Sequence, residues 1–400
     1  VSEALRALMP ALANKTYFNY GGQGPLPEPS LEAIHSCWRR IQELGPFTTD
    51  VWPLVERSTA ELRQRLAHWF GVPAQRVALS ENVTSGCVLP LWGLPWQPGD
   101  ELLIGDCEHP GVVAACHELA RRQGLGLAVL PVRDLHESEE ACATAVLARL
   151  EGSLSPRTRM VVLSHLLWTT GQVMPIAAVA ERLAQHARRP WLLVDGAQSL
   201  GSLPLAEAGA ANAAAAADIY ACTGHKWCCG PEGLGAMALS ERLLAEASPT
   251  LIGWRSLRHE GRADSLFHSD GRRFEVATSC TPLLAGLNRS LQLLEAEGDA
   301  QARLARIRQH SGHLWQALQT LPGCHTVLGA PPPAGLVSFT LTLPNGKQAE
   351  PAEVARRLGS KRIWLRNLTN PDCLRACTHL TTTEEETESL LAALAAVMAT

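Results

Sequence analysis

The chain has 400 residues, of which 46% are hydrophobic and 18% charged, and its formal net charge is −4. That is the profile of a globular enzyme-sized chain with room for two domains, or for one large and one small. It gives no reason to expect nucleic acid or an anionic membrane as partner, and no apolar run is long enough to span a bilayer.

The opening stretch, Val1 to Pro10, has no basic region followed by an apolar core, so it does not read as a signal peptide. Residues 1–16 read as a short amphipathic arm. Tyr17-Phe-Asn-Tyr-Gly-Gly-Gln-Gly24 then gives a strand-like start and a glycine loop, where backbone approaches a ligand closely or simply turns. Helical periodicity covers Leu31 to Leu44 and Trp52 to Phe70. A strand at Val77 to Ser80 runs into Glu81-Asn-Val-Thr-Ser-Gly86, which opens a helix. Free amides and small hydroxyls there make either a plain N-cap or an anion cradle.

Further apolar strands follow near 101, 127, 160 and 191. The first of these leads into Asp106-Cys-Glu-His-Pro-Gly111, which puts His109 just past a strand end. The last, Trp191-Leu-Leu-Val-Asp195, leads into Asp195-Gly-Ala-Gln198. A helix is expected at Ile176 to Ala187, and the alanine-rich stretch 206–217 reads as a loop or short helix without chemistry. The strand Asp218 to Cys222 leads into Thr223-Gly-His-Lys226, a glycine-rich loop, and a seventh strand near Leu234 to Leu239.

Alternation of the first six strands with helices predicts an α/β fold: a seven-stranded, mainly parallel sheet covered on both faces. The sixth and seventh lie too close for a crossover helix, so the seventh is expected antiparallel. A smaller α+β unit is expected to follow. It has helices at Pro282 to Leu294 and Ala302 to Leu321, strands at Gly335 to Leu341, Arg362 to Leu365 and Ala376 to Leu380, and a last helix at Thr383 to Met398. The expected division is an arm 1–16 packing with the small unit, a large domain 17–260 and a small C-terminal domain 261–400.

Ligands of such sheets sit beyond the carboxyl ends of the strands. Thr84, His109, Asp195, Gln198, His225 and Lys226 all fall there. An acid at one strand end and a lysine past another are what a pyridoxal phosphate (PLP) site needs: the acid pairs with the ring nitrogen, and the lysine binds the coenzyme covalently. Cys222, His225, Cys228 and Cys229, or Cys373, Cys377 and His379, might be thought to bind metal, but neither set has two cleanly spaced pairs, and no metal is expected. The twelve scattered cysteines read as reduced thiols of a cytoplasmic protein. A non-catalytic binding protein would fit the same fold.

The chain resembles class V, fold-type I PLP enzymes of the aminotransferase and cysteine desulfurase group. Within that group it is most similar to the cyanobacterial-type cysteine/cystine C–S lyases. The residues that carry the resemblance run nearly end to end. They include Asn82-Val-Thr-Ser-Gly-Cys87, Asp106-Cys-Glu-His-Pro-Gly111, Ser164-His-Leu-Leu-Trp168, Asp195-Gly-Ala-Gln-Ser199, Thr223-Gly-His-Lys-Trp227, Gly253-Trp-Arg-Ser256 and Leu365-Arg366. The resemblance implies that Lys226 binds PLP covalently, Asp195 pairs with its nitrogen, His109 stacks on the ring and Gln198 bonds the phenolic oxygen. Val83, Thr84, Thr223 and His225 would hold the phosphate, and Thr278 would reach the phosphate of a second subunit, which implies a homodimer. Arg366 would grip the substrate carboxylate, with Asn19 and Gln23 nearby, while Trp254 and Arg375 would shape the far end.

The implied reaction is β-elimination of cystine or cysteine to pyruvate, ammonia and cysteine persulfide or sulfide, a source of sulfur for iron–sulfur clusters. The alternative is a cysteine desulfurase that takes the sulfur on its own thiol and releases alanine. Cys373 lies near Arg366 in sequence, but the desulfurase pattern around the thiol is absent.

Overall fold

The computed structural model describes residues 2–206, 212–262 and 264–399. The seven expected apolar runs form strands of one sheet. They are β1 (Val77–Ser80), β2 (Glu101–Gly105), β3 (Gly126–Leu130), β4 (Thr158–Ser164), β5 (Trp191–Asp195), β6 (Ile219–Thr223) and β7 (Gly235–Leu239). Their order across the sheet is β1-β7-β6-β5-β4-β2-β3. Neighbours from β6 to β3 are parallel, whereas β7 runs antiparallel to both β6 and β1. Every residue of β2, β5, β6 and β7 is buried, as expected for strands covered on both faces. Only the edge strand β3 shows alternating exposure.

The smaller sheet is antiparallel. It comprises β8 (Cys324–Thr326), β9 (Leu336–Leu341), β10 (Arg366–Thr369) and β11 (Asp372–Cys377), in the order β10-β11-β9-β8. Its core gathers Phe339, Leu341, Leu374 and Ala376 with Leu314 of helix Ala300–Gln319, Leu358 of Pro351–Ser360 and Leu394 of Glu384–Met398. Thr383 caps that last helix in a reciprocal box with Glu386, so the three acids of its first turn meet the positive end of the helix dipole.

Three expectations shift. The run Arg362 to Leu365 contributes only Ile363–Trp364, which pairs in parallel with Thr16–Tyr17 and not with the smaller sheet. The strand expected at Ala376 to Leu380 lies earlier, at Asp372–Cys377, because the charge of Arg375 interrupts its apolar run. Strands β8 and β10 are too short and too polar to show alternation. In the alanine-rich stretch, Ala213–Ala216 form one helical turn, and 207–211 lie outside the described residues.

The N-terminal segment closes onto the C-terminal one. The Arg6 guanidinium bonds both carboxylate oxygens of Glu386, at 2.9 and 3.1 Å. The Phe18 N–H donates to the Trp364 carbonyl and the Cys377 N–H to the Phe18 carbonyl, each at 2.7 Å. This docking carries Gly21 and Gly22 over the strand ends of the large sheet.

Candidate active site

The site is assembled from turns at the carboxyl ends of β1, β2, β4, β5 and β6. After β1, Asn82 caps helix Val83–Trp92 by accepting the Ser85 N–H at 2.9 Å. The first-turn amides at Val83 and Thr84 have no intrahelical acceptor and lie at the cavity wall. After β2, Glu108 folds back beneath the floor. Its two oxygens meet the backbone N–H and hydroxyl of Ser164 at 2.8 and 2.7 Å. A Cβ on Gly105 would come within 2.7 Å of this carboxyl, so any larger residue there would have to displace it. Burial without a cation pushes the Glu108 carboxyl up to about 8.

His109 caps the next helix, Pro110–Gln123. Its Nδ1 accepts the Gly111 N–H at 3.2 Å, which leaves the proton on Nε2. Desolvation lowers its pKa below the ordinary imidazole value. Asp195 ends β5 in register with Ser164, and its Oδ1 accepts the Ala197 N–H at 2.9 Å. Past β6, the Thr223 hydroxyl bonds His225 Nδ1 at 2.7 Å and Lys226 follows. Desolvation draws the Lys226 ammonium down to about 8; Asp195 opposes the shift, and Arg375 and Arg366 add to it.

These turns enclose a cavity of 270 Å³, lined by Gly21, Val83, Thr84, His109, Ser164, Trp168, Asp195, Gln198, His225, Lys226, Arg366 and Arg375 among others. Lysine and acid thus face one space. Arg375 is buried, and Nη1 donates to the Trp168 carbonyl at 2.8 Å, yet its Nε and Nη2 have no partner. A buried guanidinium without a carboxylate is costly unless a ligand supplies one.

Residues 52–390 match the family model described as aminotransferase class-V. The chain belongs to the aminotransferase class-V family.

Two solved structures of the cystine C–S lyase C-DES, each 43% identical in sequence, share this class-V architecture. One is a lysine-to-alanine mutant with glycine covalently linked to the PLP cofactor (TM-score 0.90, covering 98% of each chain). The other is a complex with its reaction product cysteine persulfide (TM-score 0.89, covering 97% of this chain and 99% of that one). The isopenicillin N epimerase of Streptomyces clavuligerus is 31% identical over 95% of this chain and 94% of its own. A probable cysteine desulfurase of Mycolicibacterium paratuberculosis is 28% identical over 82% of this chain, which spans only 44% of that protein's length.

Not every expected residue of this class-V chain reaches the cavity. Thr223 stands behind His225, with its hydroxyl also 3.3 Å from the Leu234 carbonyl. Asn19 lies under Gly22, its Oδ1 buried and unpartnered. Gln23 is exposed and donates to Glu232 at 2.6 Å. Trp254 and Thr278 line a separate apolar groove with Trp38, Phe47 and Trp52. Cys373, the thiol of the alternative reading, is fully buried in β11, and burial pushes it up to about 11. Cys377 is buried as well.

Sequence reading gave no role to Ser164, Trp168 or Glu108. The rule that found His109, a polar or aromatic residue just past a strand end, applies equally to Ser164 and Trp168. Glu108 has no sequence signal, because its burial depends on how the turn folds back.

Proposed function

We propose that this chain is a PLP-dependent carbon–sulfur lyase. It would convert cystine or cysteine to pyruvate, ammonia and cysteine persulfide or sulfide. The observation that carries the reading is the meeting of Lys226, Asp195, His109 and two arginines around one cavity, with buried Arg375 lacking any carboxylate among the described residues. The residues fit the coenzyme: the helix N-terminus at Val83 and Thr84, with His225, suits its phosphate, and Asp195 suits its pyridine nitrogen. Bound PLP supplies a sink for the electron pair left when the Cα–H bond breaks.

The chain's own groups do the rest. Lys226 Nζ, with its pKa near 8, is poised as a base to take the α-proton at near-neutral pH. The Asp195 carboxylate would hold a proton on the ring nitrogen. The His109 imidazole, whose pKa desolvation lowers, would lie against the ring. Arg366 and Arg375 bind substrate carboxylate by charge-assisted hydrogen bonds. Thr223 orients His225, Asn19 sits behind Gly22, and Gln23 lies at the surface beside Glu232.

The domain division 1–16, 17–260 and 261–400 belongs to this reading, with the last unit supplying Arg366 and Arg375. So does a homodimer, in which Trp254 and Thr278, outside their own chain's cavity, complete that of a second copy. All twelve cysteines are free, which suits a reducing cytoplasm. Among the described residues no helix is long and apolar enough to cross a membrane.

The test is to incubate the PLP-loaded protein with cystine and with cysteine, and to assay pyruvate and alanine in the same samples. Pyruvate is expected from both. Alanine would replace this reading with the desulfurase, and buried Cys373 argues against that outcome. Exchange of the α-proton without either product would point instead to the chemistry of the epimerase relatives.

A further inference from the structure

We propose that Trp227 is a positioning residue that fixes which end of the Gln198 amide meets the cavity, its own backbone being held by a separate run of hydrogen bonds through His379. The inference rests on the PLP reading above. The direction of each bond follows from the groups at its ends. An indole N–H only donates, so the Gln198 atom 2.8 Å from Trp227 Nε1 is the amide oxygen. The Gly21 carbonyl only accepts, so the Gln198 atom 2.9 Å from it is the amide nitrogen. The two constraints agree, and a flipped amide would break both bonds. Gln198 therefore turns its second N–H to the cavity it lines: a donor, suited to an anionic phenolic oxygen.

The separate run lies behind Trp227. Its carbonyl accepts from His379 Nε2 at 3.1 Å, which places the imidazole proton there. Nδ1 of the same ring is then an acceptor, facing the Thr381 hydroxyl at 3.4 Å. That hydroxyl accepts in turn from the Tyr20 O–H at 2.6 Å. Tyr20, Thr381, His379, Trp227 and Gln198 are all buried. The Tyr20 ring stacks on His379 with centroids 4.5 Å apart and planes within 10°. Burial holds His379 at about 4, so its ring stays neutral through the physiological range.

Backbone packs closely on both the ring and the main chain of Trp227, which is fully buried. A Cβ at Gly335 would stand 2.7 Å from its six-membered ring, and one at Gly201 would stand 2.8 Å from the Trp227 carbonyl carbon. Gly335 precedes β9 and His379 follows β11. Packing between the two sheets thus sets the polarity that Gln198 presents to the coenzyme.

Trp227→Phe keeps an aromatic ring in the slot and removes the N–H, which leaves the Gln198 amide oxygen unpaired and the Gly21 bond alone to hold the amide. The variant is expected to bind PLP roughly tenfold more weakly, the worth of one hydrogen bond, and to show a displaced visible band for the bound coenzyme. Wild-type affinity together with an unmoved band would overturn the proposal. Should the variant fail to fold, or the wild type show no coenzyme band at all, the ligand-free protein still answers. In protein labelled with ¹⁵N-tryptophan, the Trp227 indole signal should move on Gln198→Leu, and an unmoved signal overturns the lock. A missing wild-type band alone sinks the coenzyme reading and leaves that second measurement to decide the hydrogen bond.

Discussion

The cavity at the strand ends and the groove beside Trp254 lie on one chain but are built by opposite rules. At the cavity three ionisable groups are displaced from their ordinary behaviour, Lys226 and His109 downward and Glu108 beneath it upward. Its buried polar atoms are mostly paired, and Arg375 is the conspicuous exception. The groove is aromatic and uncovered. Trp38, Phe47 and Trp52 are 47%, 82% and 37% exposed, and edge-to-face contacts link Phe47 to Trp52 and Trp52 to Trp254. The first region is shaped by groups the single chain already holds in place. The second exposes apolar area, which favours burial against another surface. The contrast explains why Trp254 and Thr278, grouped with the site by resemblance, stand outside the cavity of their own chain.

The comparison breaks most sharply at Lys226. Lys226→Ala should lower pyruvate formation from cystine by at least about a thousandfold; a stopped assay showing about a tenth of wild-type turnover would end the proposed role. In the groove, Trp52→Glu should weaken self-association by roughly thirtyfold or more, the scale of an interface anchor. Sedimentation should then show monomers with little activity, whereas an active monomer would mean the cavity is complete without a partner.

Arg375→Lys keeps the charge but loses the planar fork, and KM for cystine should rise by about tenfold. The dimer should be untouched, which separates the two regions. The smallest effect is expected at Glu108. Its carboxyl holds a proton up to about pH 8 when folded but would release it near 4.5 when unfolded. The unfolded state thus sheds its proton first, and stability falls as pH rises through that window. Glu108→Gln cannot ionise, so melting curves should match the wild type near pH 5. The variant should gain about 1 kcal/mol or more relative to it by pH 8.

Much of the architecture was legible because long buried strands announce themselves as continuous apolar runs. All seven strands of the large sheet, including the reversed β7, followed from such runs and the lengths between them. The site was legible to the extent that it is local. His109, Asp195 and Lys226 each follow directly from the end of a strand. What escaped depends on contacts distant in sequence. Glu108 reaches Ser164 only because its turn doubles back, and the Trp227 indole meets Gln198 from 29 residues away. The small-sheet strands blurred for a different reason: Arg375 places a charge where an apolar residue would have marked the strand, and that charge is part of the site.

The joining of chain ends bears on when the pocket comes into being. Its glycine wall at Gly21 and Gly22 is fixed by Trp364 and Cys377, through the bonds of Phe18 to both. On a ribosome these anchors emerge long after the wall itself. A nascent chain can therefore assemble the large sheet early, but it has no finished pocket to load until Trp364 and Cys377 have been made.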